Sequence, residues 1–320
     1  MSTVARPDRL RATLLGGVAP LLWATLALFT AMSGSVPPFQ LVAMAFLVAF
    51  ALAACKWLLF GEHPARYLRQ PVAAWALGVG GLFGFHFFYF LALRAAPPVE
   101  ANLINYLWPL LIVLFSALLP GERLRWWHVA GAAMGLAGTA LLVTGGTLAL
   151  RAEYWPGYAA ALGSALVWST YSVANRRFGA VPTDTVGGFC GATALLAILA
   201  HLAFEQTIWP ASPIEWLAVV ALGLGPVGSA FFFWDHGTKH GDIRALGVAA
   251  YSTPLLSTFL LVAVGYGRLT LGVAAACVLV TGGAALAARD LFVRPPVSRG
   301  RSPPPESSPP SPGAPSPESR

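Results

Sequence analysis

The chain has 320 residues, of which 57% are hydrophobic and only 10% are charged, and its mean hydropathy is +0.67. Soluble globular domains carry roughly 25% charged residues, so this chain has too few charges to cover a surface that faces water. The composition excludes an ordinary soluble domain and indicates a protein whose main solvent is lipid.

Apolar windows of about 20 residues, the length that crosses a bilayer as a helix, recur along the chain. They are twice as long as barrel strands and do not alternate with polar residues, so we predict an all-α membrane protein with ten transmembrane helices. The predicted spans are 12–32, 39–60, 73–94, 98–119, 125–145, 155–177, 186–205, 214–235, 243–264 and 270–289.

Positive charge is distributed unevenly over the predicted loops. If the N-terminus is cytoplasmic, the outer loops hold only Arg94, Arg151 and Arg268 of the 20 lysines and arginines. This asymmetry follows the positive-inside rule. We therefore predict a multi-pass protein of a bacterial-type inner (plasma) membrane with both termini in the cytoplasm. The net charge of +7 then reflects orientation, and we expect no nucleic-acid partner.

The two ends of the chain differ from its middle. Residues 1–11 are predicted to be a cytoplasmic N-terminus, because the first span is too long for a signal peptide and nine more spans follow. Residues 294–320 are rich in proline and serine and contain no aromatic residue. We predict a disordered cytoplasmic tail there, which is either a dispensable extension or a binding segment.

An internal repeat becomes visible when the chain is shifted by 145 residues without a gap. The superimposed pairs include Trp23 with Trp168, Tyr106 with Tyr251, and Pro109 with Pro254. Each copy holds five helices, so the second copy crosses the membrane in the opposite direction. We predict two inverted-topology repeats, 12–145 (helices 1–5) and 155–289 (helices 6–10). Such repeats are typical of secondary transporters, whose substrates bind near the bilayer midplane.

The segment ALRAAPPVEANLINYLWPLLIVLFSALLPGERLRWWHVAGAAMGLAGTALL contains a mid-helix proline, a Gly-Glu-Arg-Leu turn and a glycine-spaced helix. It resembles the EamA family of the drug/metabolite transporter superfamily, and the resemblance covers about residues 12–290. The stretch FHFFYFLALRAAPPVEANLINYLWPLL is further similar to YddG-type aromatic amino acid exporters. The turn of the second copy departs from the family, with Gly267 in place of the usual Glu, and we expect this to affect stability more than transport.

Polar side chains within the spans mark the predicted pathway, because lipid tolerates them only where they face protein or water. Four such residues form one stripe of helix 6, namely Ser164, Trp168, Tyr171 and Asn175. The candidate substrate-binding residues are His86, Tyr89, Asn105, Tyr106, Trp108, Trp168, Tyr171, Tyr251 and Ser252. An aromatic wall of this kind suits aromatic or apolar substrates. Packing of His86 against a neighbouring carbonyl, and anchoring at the membrane interface for Trp and Tyr, stay open as alternatives.

The similarity to the exporters implies a cavity-lining role for a subset of these residues: His86, Tyr89, Tyr106, Trp108 and Trp168. Pro109 and Pro254 are candidate hinges, because a proline frees a backbone carbonyl and weakens the helix at its position. Asp235 is predicted at the cytoplasmic end of helix 8, as a rim or gate charge.

Several kinds of chemistry have no motif in the sequence. There is no Walker A sequence, no metal-binding pattern among the cysteines, and no carboxylate in the middle of a predicted span. We therefore predict no cofactor, no metal site and no enzymatic activity. The missing membrane carboxylate favours neutral or zwitterionic cargo, and His86 is the candidate for any proton coupling.

These observations predict a secondary transporter that exports amino acids, preferring aromatic and other hydrophobic ones, by alternating access. Its partners would be the small-molecule substrate and the lipid bilayer. The sequence does not determine the oligomeric state, and we expect the monomer to be functional. The alternatives are a broader metabolite or drug permease of the same fold and, from another class, a non-transporting membrane receptor or enzyme.

Overall fold

A computed structural model describes residues 6–120, 123–145, 150–263, 270–287 and 289. Three predicted features lie outside these ranges. They are the tail from residue 294, the Gly-Glu pair of the first turn at 121–122, and the second-copy turn at 266–269.

The regular secondary structure of the described residues is entirely helical, as predicted. The first half of the chain contains α1 (Arg6–Gly16), α2 (Val18–Trp23), α3 (Leu26–Met32), α4 (Pro38–Leu59), α5 (Ala65–Leu68), α6 (Val72–Ala95), α7 (Pro98–Asn105), α8 (Trp108–Phe115) and α9 (Trp126–Thr144). The second half contains α10 (Trp155–Ala174), α11 (Thr185–Phe204), α12 (Pro213–Leu224), α13 (Ala230–His240), α14 (Ile243–Ala249), α15 (Ser252–Ala263) and α16 (Leu271–Ala287). Short 3₁₀ segments occupy Ser116–Leu118, Ala152–Tyr154 and Asn175–Phe178, and a π-helix occupies Gly225–Ser229.

Within the described residues, seven helical segments are long and apolar enough to cross a membrane. They are Asp8–Met32, Pro38–Leu59, Val72–Ala95, Pro98–Leu118, Trp126–Thr144, Thr185–Phe204 and Pro213–His240, and α16 is a shorter apolar helix. Large apolar side chains such as Leu58, Leu199 and Val278 stay exposed on the outside of the bundle. Such apolar surface is stable against lipid and unfavourable against water. The chain is a helical membrane protein.

Two helices break near their middle. The two breaks coincide to within one residue when the chain is shifted by 145 residues. A turn at Tyr106–Leu107 separates α7 from α8, and a turn at residues 250–251 separates α14 from α15. Pro109 then lies in the first turn of α8 and Pro254 in the first turn of α15. The amides in the first turn of a helix have no hydrogen-bond acceptor within that helix. Proline, which lacks the amide hydrogen, therefore fits there without further loss of hydrogen bonds.

Helices of the first half pack against helices of the second half throughout the bundle. The contacting pairs are α4 with α11, α6 with α10, α8 with α14, α9 with α16, and both α1 and α2 with α13. Glycines allow the closest approaches. A Cβ atom on Gly131 would lie 2.5 Å from the carbonyl oxygen of Gly283, and one on Gly16 would lie 2.8 Å from the Cα atom of Gly237. Close backbone contact of this kind stabilises helix pairs in membranes.

Besides the two broken helices, two further predicted spans differ from the observed helices. The span 12–32 is divided into α1, α2 and α3, with interruptions at Gly17 and at residues 24–25. The span that was predicted to end at Asp235 continues to His240, because Asp235 and Lys239 form an ion pair one turn apart on α13. Asp235 therefore lies within the helix and is fully buried, not at its rim.

Candidate functional site

Four tryptophans meet in the interior of the bundle, and we call them the tryptophan cluster: Trp23, Trp108, Trp168 and Trp234. The ring centroid of each lies 5.1–6.3 Å from those of the other three. The four come from α2, α8, α10 and α13, so each half of the chain supplies two. Trp108, Trp168 and Trp234 are buried, and Trp23 is partly exposed. The four rings pack against one another, so the cluster forms an aromatic core shared by the two halves of the chain.

Indole hydrogen bonds fix two rings of this cluster. Trp23 Nε1 donates to the carbonyl oxygen of Pro226 at 3.1 Å, and Trp234 Nε1 donates to Ser172 Oγ at 3.0 Å. The acceptor at Pro226 lies in the π-helix, where irregular backbone makes a carbonyl available. Sequence reasoning selected Trp108 and Trp168 but missed Trp23 and Trp234 as site residues.

His86 lies beside the tryptophan cluster on α6, among aromatic side chains. Its ring centroid is 5.2–6.4 Å from those of Phe46, Phe85, Phe90 and Phe231. Its Nδ1 atom is 2.7 Å from the carbonyl oxygen of Leu82, so Nδ1 carries a proton and donates it. In the neutral imidazole, Nε2 is then the acceptor nitrogen. The side chain is partly exposed, so this polar edge is accessible within an aromatic environment.

Hydrogen bonds between side chains of α6, α7 and α10 continue the site. The Tyr89 hydroxyl donates to Asn102 Oδ1, and its ring is stacked on that of Phe85. The Ser164 hydroxyl lies 3.0 Å from Asn105 Oδ1 and 3.2 Å from the carbonyl oxygen of Phe85. The structure thus brings Tyr89 and Asn105 together with His86 through adjacent helices.

Residues at the two helix breaks have different surroundings. Tyr106 is partly exposed at the α7–α8 turn, two residues before Trp108 in the sequence. Tyr251 is fully buried, and its ring lies so close to α9 that a Cβ atom on Gly135 would approach it to 2.4 Å. Ser252 is partly exposed at the start of α15. Tyr251 therefore packs among apolar side chains of α8 and α16. It does not belong to the tryptophan cluster.

A buried ion pair lies on α13 and begins at Asp235, the residue after Trp234. Lys239 Nζ is 2.9 Å from Asp235 Oδ2, and both side chains are almost completely inaccessible to solvent. Asn175 Nδ2 donates to Asp235 Oδ1 at 2.9 Å, and Thr183 Oγ1 donates to Oδ2 at 2.7 Å. Lys239 also donates to the carbonyl oxygen of Val181 at 3.0 Å. Sequence reasoning found Asp235 and missed Lys239.

Tyr171 connects this ion pair with the tryptophan cluster. Its ring centroid lies 5.2 Å from that of Trp168, and it sits one helical turn before Asn175 on the same face of α10. The residue is buried, and its hydroxyl has no hydrogen-bond partner in the described part of the chain. A buried hydroxyl without a partner costs free energy, so it marks a position where a polar ligand would be favourable.

A second polar cluster lies at the end of the bundle that the positive-inside rule assigns to the cytoplasm. Asp242 accepts hydrogen bonds from the first amides of α14 and forms ion pairs with Arg9 at 3.0 Å and Arg244 at 3.2 Å. Arg244 also donates to the carbonyl oxygen of Arg123 at 2.7 Å. Burial disfavours ionisation of Asp242, but the two guanidinium groups and the amides outweigh it and hold the pKa of this carboxyl below its usual value.

At the opposite end, Glu205 ties three helices together. Its carboxylate accepts from the backbone amides of Phe39 and Gln40, both at 3.1 Å, and from Arg94 at 2.8 Å. His201 Nδ1 lies 3.0 Å from the same carboxylate. None of these clusters has the composition of a metal centre, and no group of three His, Cys, Asp or Glu residues within the described ranges is placed to hold a metal ion.

Comparison with known proteins agrees with this architecture. The EamA-like transporter family matches residues 10–144 and again residues 155–289. The aromatic amino acid exporter YddG of Ancylobacter novellus is 56% identical over 282 residues, which cover 88% of this chain and 98% of that protein. The aromatic amino acid exporter YddG of Salmonella typhimurium is 27% identical, covering 78% and 87% of the two chains. A crystal structure with 55% sequence identity covers 88% of this chain and 99% of its own, with a TM-score of 0.84. The chain belongs to the EamA-like transporter family.

Proposed function

We propose that this protein is a secondary transporter that exports amino acids, with aromatic and other hydrophobic ones preferred. The observation that carries the proposal is the tryptophan cluster, with the accessible edge of His86 and the hydroxyl of Tyr89 beside it. The rings would contact the apolar side chain of the substrate. The polar edges would form hydrogen bonds with the polar groups of the substrate. The extensive similarity to an aromatic amino acid exporter supports this assignment.

The proposed architecture is ten transmembrane helices in two inverted five-helix repeats, residues 12–145 and 155–289. Three observations support it: two family matches at nearly these bounds, equivalent breaks in the fourth and ninth helices, and packing of helices from one half against the other. The pairing of the first helix with the eighth and of the third with the sixth is what a two-fold relation in the membrane plane predicts. Residues 1–11 and 294–320 would then be cytoplasmic segments flanking the repeats.

The substrate-binding residues within this architecture would be His86, Tyr89, Asn105, Tyr106, Trp108, Trp168, Tyr171, Tyr251 and Ser252. His86, Tyr89 and Tyr106 would face the substrate directly, because each of these side chains is partly exposed. Asn105 would act through its contact with Ser164, and Tyr251 through its contact with the broken helix.

Transport would proceed by alternating access about the two helix breaks. At the turns near Pro109 and Pro254 the helical hydrogen-bond ladder is interrupted, so these segments bend at lower cost than a continuous helix. The ion pairs of Asp242 would hold the cytoplasmic end closed in the state described above. Opening would require the Arg9–Asp242 ion pair to separate, together with the hydrogen bonds from Asn175 and Thr183 to Asp235. The protein would function as a monomer in a bacterial-type inner membrane with both termini in the cytoplasm.

A flux panel distinguishes this function from a broader drug permease. Liposomes that contain the purified protein are loaded with labelled phenylalanine, tryptophan or threonine, or with a cationic dye, and efflux is compared with protein-free liposomes. We expect phenylalanine and tryptophan to leave faster than threonine, and the dye to stay. Efflux of the dye alone would favour the drug permease, and efflux of none would contradict transport of these classes.

A further inference from the structure

Phe231, Asp235 and Lys239 follow one another at four-residue intervals along α13 and therefore share one face of the helix. Phe231 contacts Trp23 and Trp168 of the tryptophan cluster. The ion pair begins four residues later, at a distance of about 6 Å along the helix axis. An apolar surface and a pair of opposite charges thus lie side by side, in the arrangement of an amphiphilic ligand.

The buried ion pair has little value for stability alone. Both side chains are inaccessible, and replacing a buried ion pair with neutral residues of similar volume is often neutral or stabilising. The hydroxyl of Tyr171, also buried, lies within electrostatic range of the Asp235 carboxylate and has no hydrogen-bond partner in the described ranges. Two opposite charges and one unsatisfied hydroxyl therefore lie together in the interior of the bundle.

An α-amino acid carries an ammonium and a carboxylate, and both lose their water when the molecule enters the bundle. Loss of this hydration is expensive unless groups of opposite charge replace it. Asp235 offers an acceptor for the ammonium, while Lys239 and the Tyr171 hydroxyl offer donors for the carboxylate. The aromatic side chain of the same amino acid would lie toward Trp234 and Phe231.

We propose that Asp235, Lys239 and Tyr171 form a head-group site for zwitterionic α-amino acids entering from the cytoplasmic end. When this end is closed, the two charges neutralise each other. When it opens, the ammonium of the substrate binds Asp235 and its carboxylate binds Lys239 and Tyr171, so one internal ion pair is exchanged for two pairs with the substrate. This inference rests on the proposed function, because it specifies how the same substrate is recognised.

The test is a competition experiment on D235N/K239Q, which removes both charges and keeps hydrogen-bonding groups. Exchange of labelled phenylalanine is measured in inside-out and right-side-out membrane vesicles. The unlabelled competitors are phenylalanine, phenethylamine, which lacks the carboxylate, and 3-phenylpropionate, which lacks the ammonium. In inside-out vesicles of the wild type, we expect both analogues to compete about tenfold more weakly than phenylalanine, the effect of losing one charge-assisted hydrogen bond.

In D235N/K239Q, we expect the KM for phenylalanine at the cytoplasmic face to rise about tenfold, toward the values of the analogues. The KM for phenylalanine at the opposite face should change little. The matched control is K56Q/D184N, which removes another Lys–Asp pair, between α4 and α11, and should behave like the wild type. Full discrimination between phenylalanine and its analogues in D235N/K239Q, or an equal loss in the control, would overturn the head-group site. Absence of phenylalanine exchange in the wild type would overturn the proposed function together with the site.

Y171F is a second variant, and it leaves both charges of the ion pair in place. It removes a hydroxyl without a protein partner in the described ranges, so the variant should fold at least as well as the wild type. We expect a several-fold higher KM for phenylalanine at the cytoplasmic face and an unchanged inhibition by phenethylamine, which has no carboxylate for this hydroxyl. An unchanged KM for phenylalanine in the folded variant would contradict the role of Tyr171.

Discussion

The hydroxyl oxygen of Tyr251 accepts a hydrogen bond from the backbone amide of Leu110 at 3.2 Å. In a continuous helix this amide would donate to the carbonyl oxygen of Tyr106. The turn at Tyr106–Leu107 interrupts that ladder, and a side chain from the second broken helix takes its place. The two helix breaks are therefore joined by a direct hydrogen bond, with Pro109 beside the donor and Pro254 three residues after Tyr251.

Replacing Tyr251 with phenylalanine tests this link. Y251F leaves the amide of Leu110 without its acceptor in a part-buried position, and we expect a destabilisation of about 1 kcal/mol. The measurement is the thermal unfolding midpoint of the purified protein in detergent. The control is Y106F, which removes the hydroxyl at the equivalent, partly exposed position of the first repeat and should cost less. Equal midpoints for Y251F and wild type would show that the hydrogen bond contributes nothing.

The double substitution P109A/P254A restores the missing amide donors of both broken helices. Alanine also has a high helix propensity, so the helices should become straighter and stiffer. We expect normal membrane insertion and a several-fold slower exchange of phenylalanine, measured as an initial rate per protein in liposomes. The matched control is P213A, at the start of α12, away from either break. A normal rate in the double variant would contradict bending at these positions.

Trp234 is expected to contribute to substrate affinity as a member of the tryptophan cluster. W234F keeps an aromatic ring but removes the hydrogen bond to Ser172 and part of the contact with Trp168. We expect a several-fold rise in the KM for tryptophan and phenylalanine, measured by exchange in liposomes. W216F, which alters an exposed tryptophan near the start of α12, should leave the KM unchanged. The same KM in both variants would remove Trp234 from the site.

Asp242 makes the closed cytoplasmic end sensitive to acid. Its folded-state pKa is lower than the ordinary value of 3.8. The ionised carboxylate therefore stabilises the fold fully above that value, and this contribution is lost as the pH falls through the lower, folded-state pKa. Replacing the buried carboxylate by an amide removes its ion pairs with Arg9 and Arg244, so D242N should cost about 3 kcal/mol at pH 7.

The check is the unfolding midpoint of wild type and D242N between pH 7 and pH 3. We expect the difference between the two proteins to be constant down to about pH 4 and to shrink below it. D184N, which alters a more exposed aspartate, serves as the control for general charge effects. A difference that stays the same at pH 3 would contradict the assigned titration.

The helical regions and the paired breaks were predictable because they depend on local chemistry. Apolar length, linker charge and proline position act over a few residues, and each predicted span contains observed helix. The tryptophan cluster was only half predicted. Trp108 and Trp168 stood beside polar residues that marked the pathway, whereas Trp23 and Trp234 join them only through packing of α2 and α13.

The internal repeat would have identified Trp23 and Trp234. Under the 145-residue shift, Trp23 falls on Trp168 and Tyr89 falls on Trp234. Applying the repeat to each candidate site residue would have placed both tryptophans in the site. Lys239 was missed for a different reason: the predicted span ended at the first charge, and only the structure shows that the ion pair allows the helix to continue.

Counterflow of labelled phenylalanine tests the central claim, transport of amino acids by alternating access, most directly. Liposomes containing the wild-type protein are preloaded with excess unlabelled phenylalanine, or with the same concentration of 3-phenylpropionate as a control, and diluted into a trace of labelled phenylalanine. We expect a transient accumulation of label in the phenylalanine-loaded liposomes alone, because the excess unlabelled phenylalanine inside competes with the label for the carrier and delays its exit. Entry of label that is absent, or independent of the internal load, would contradict it.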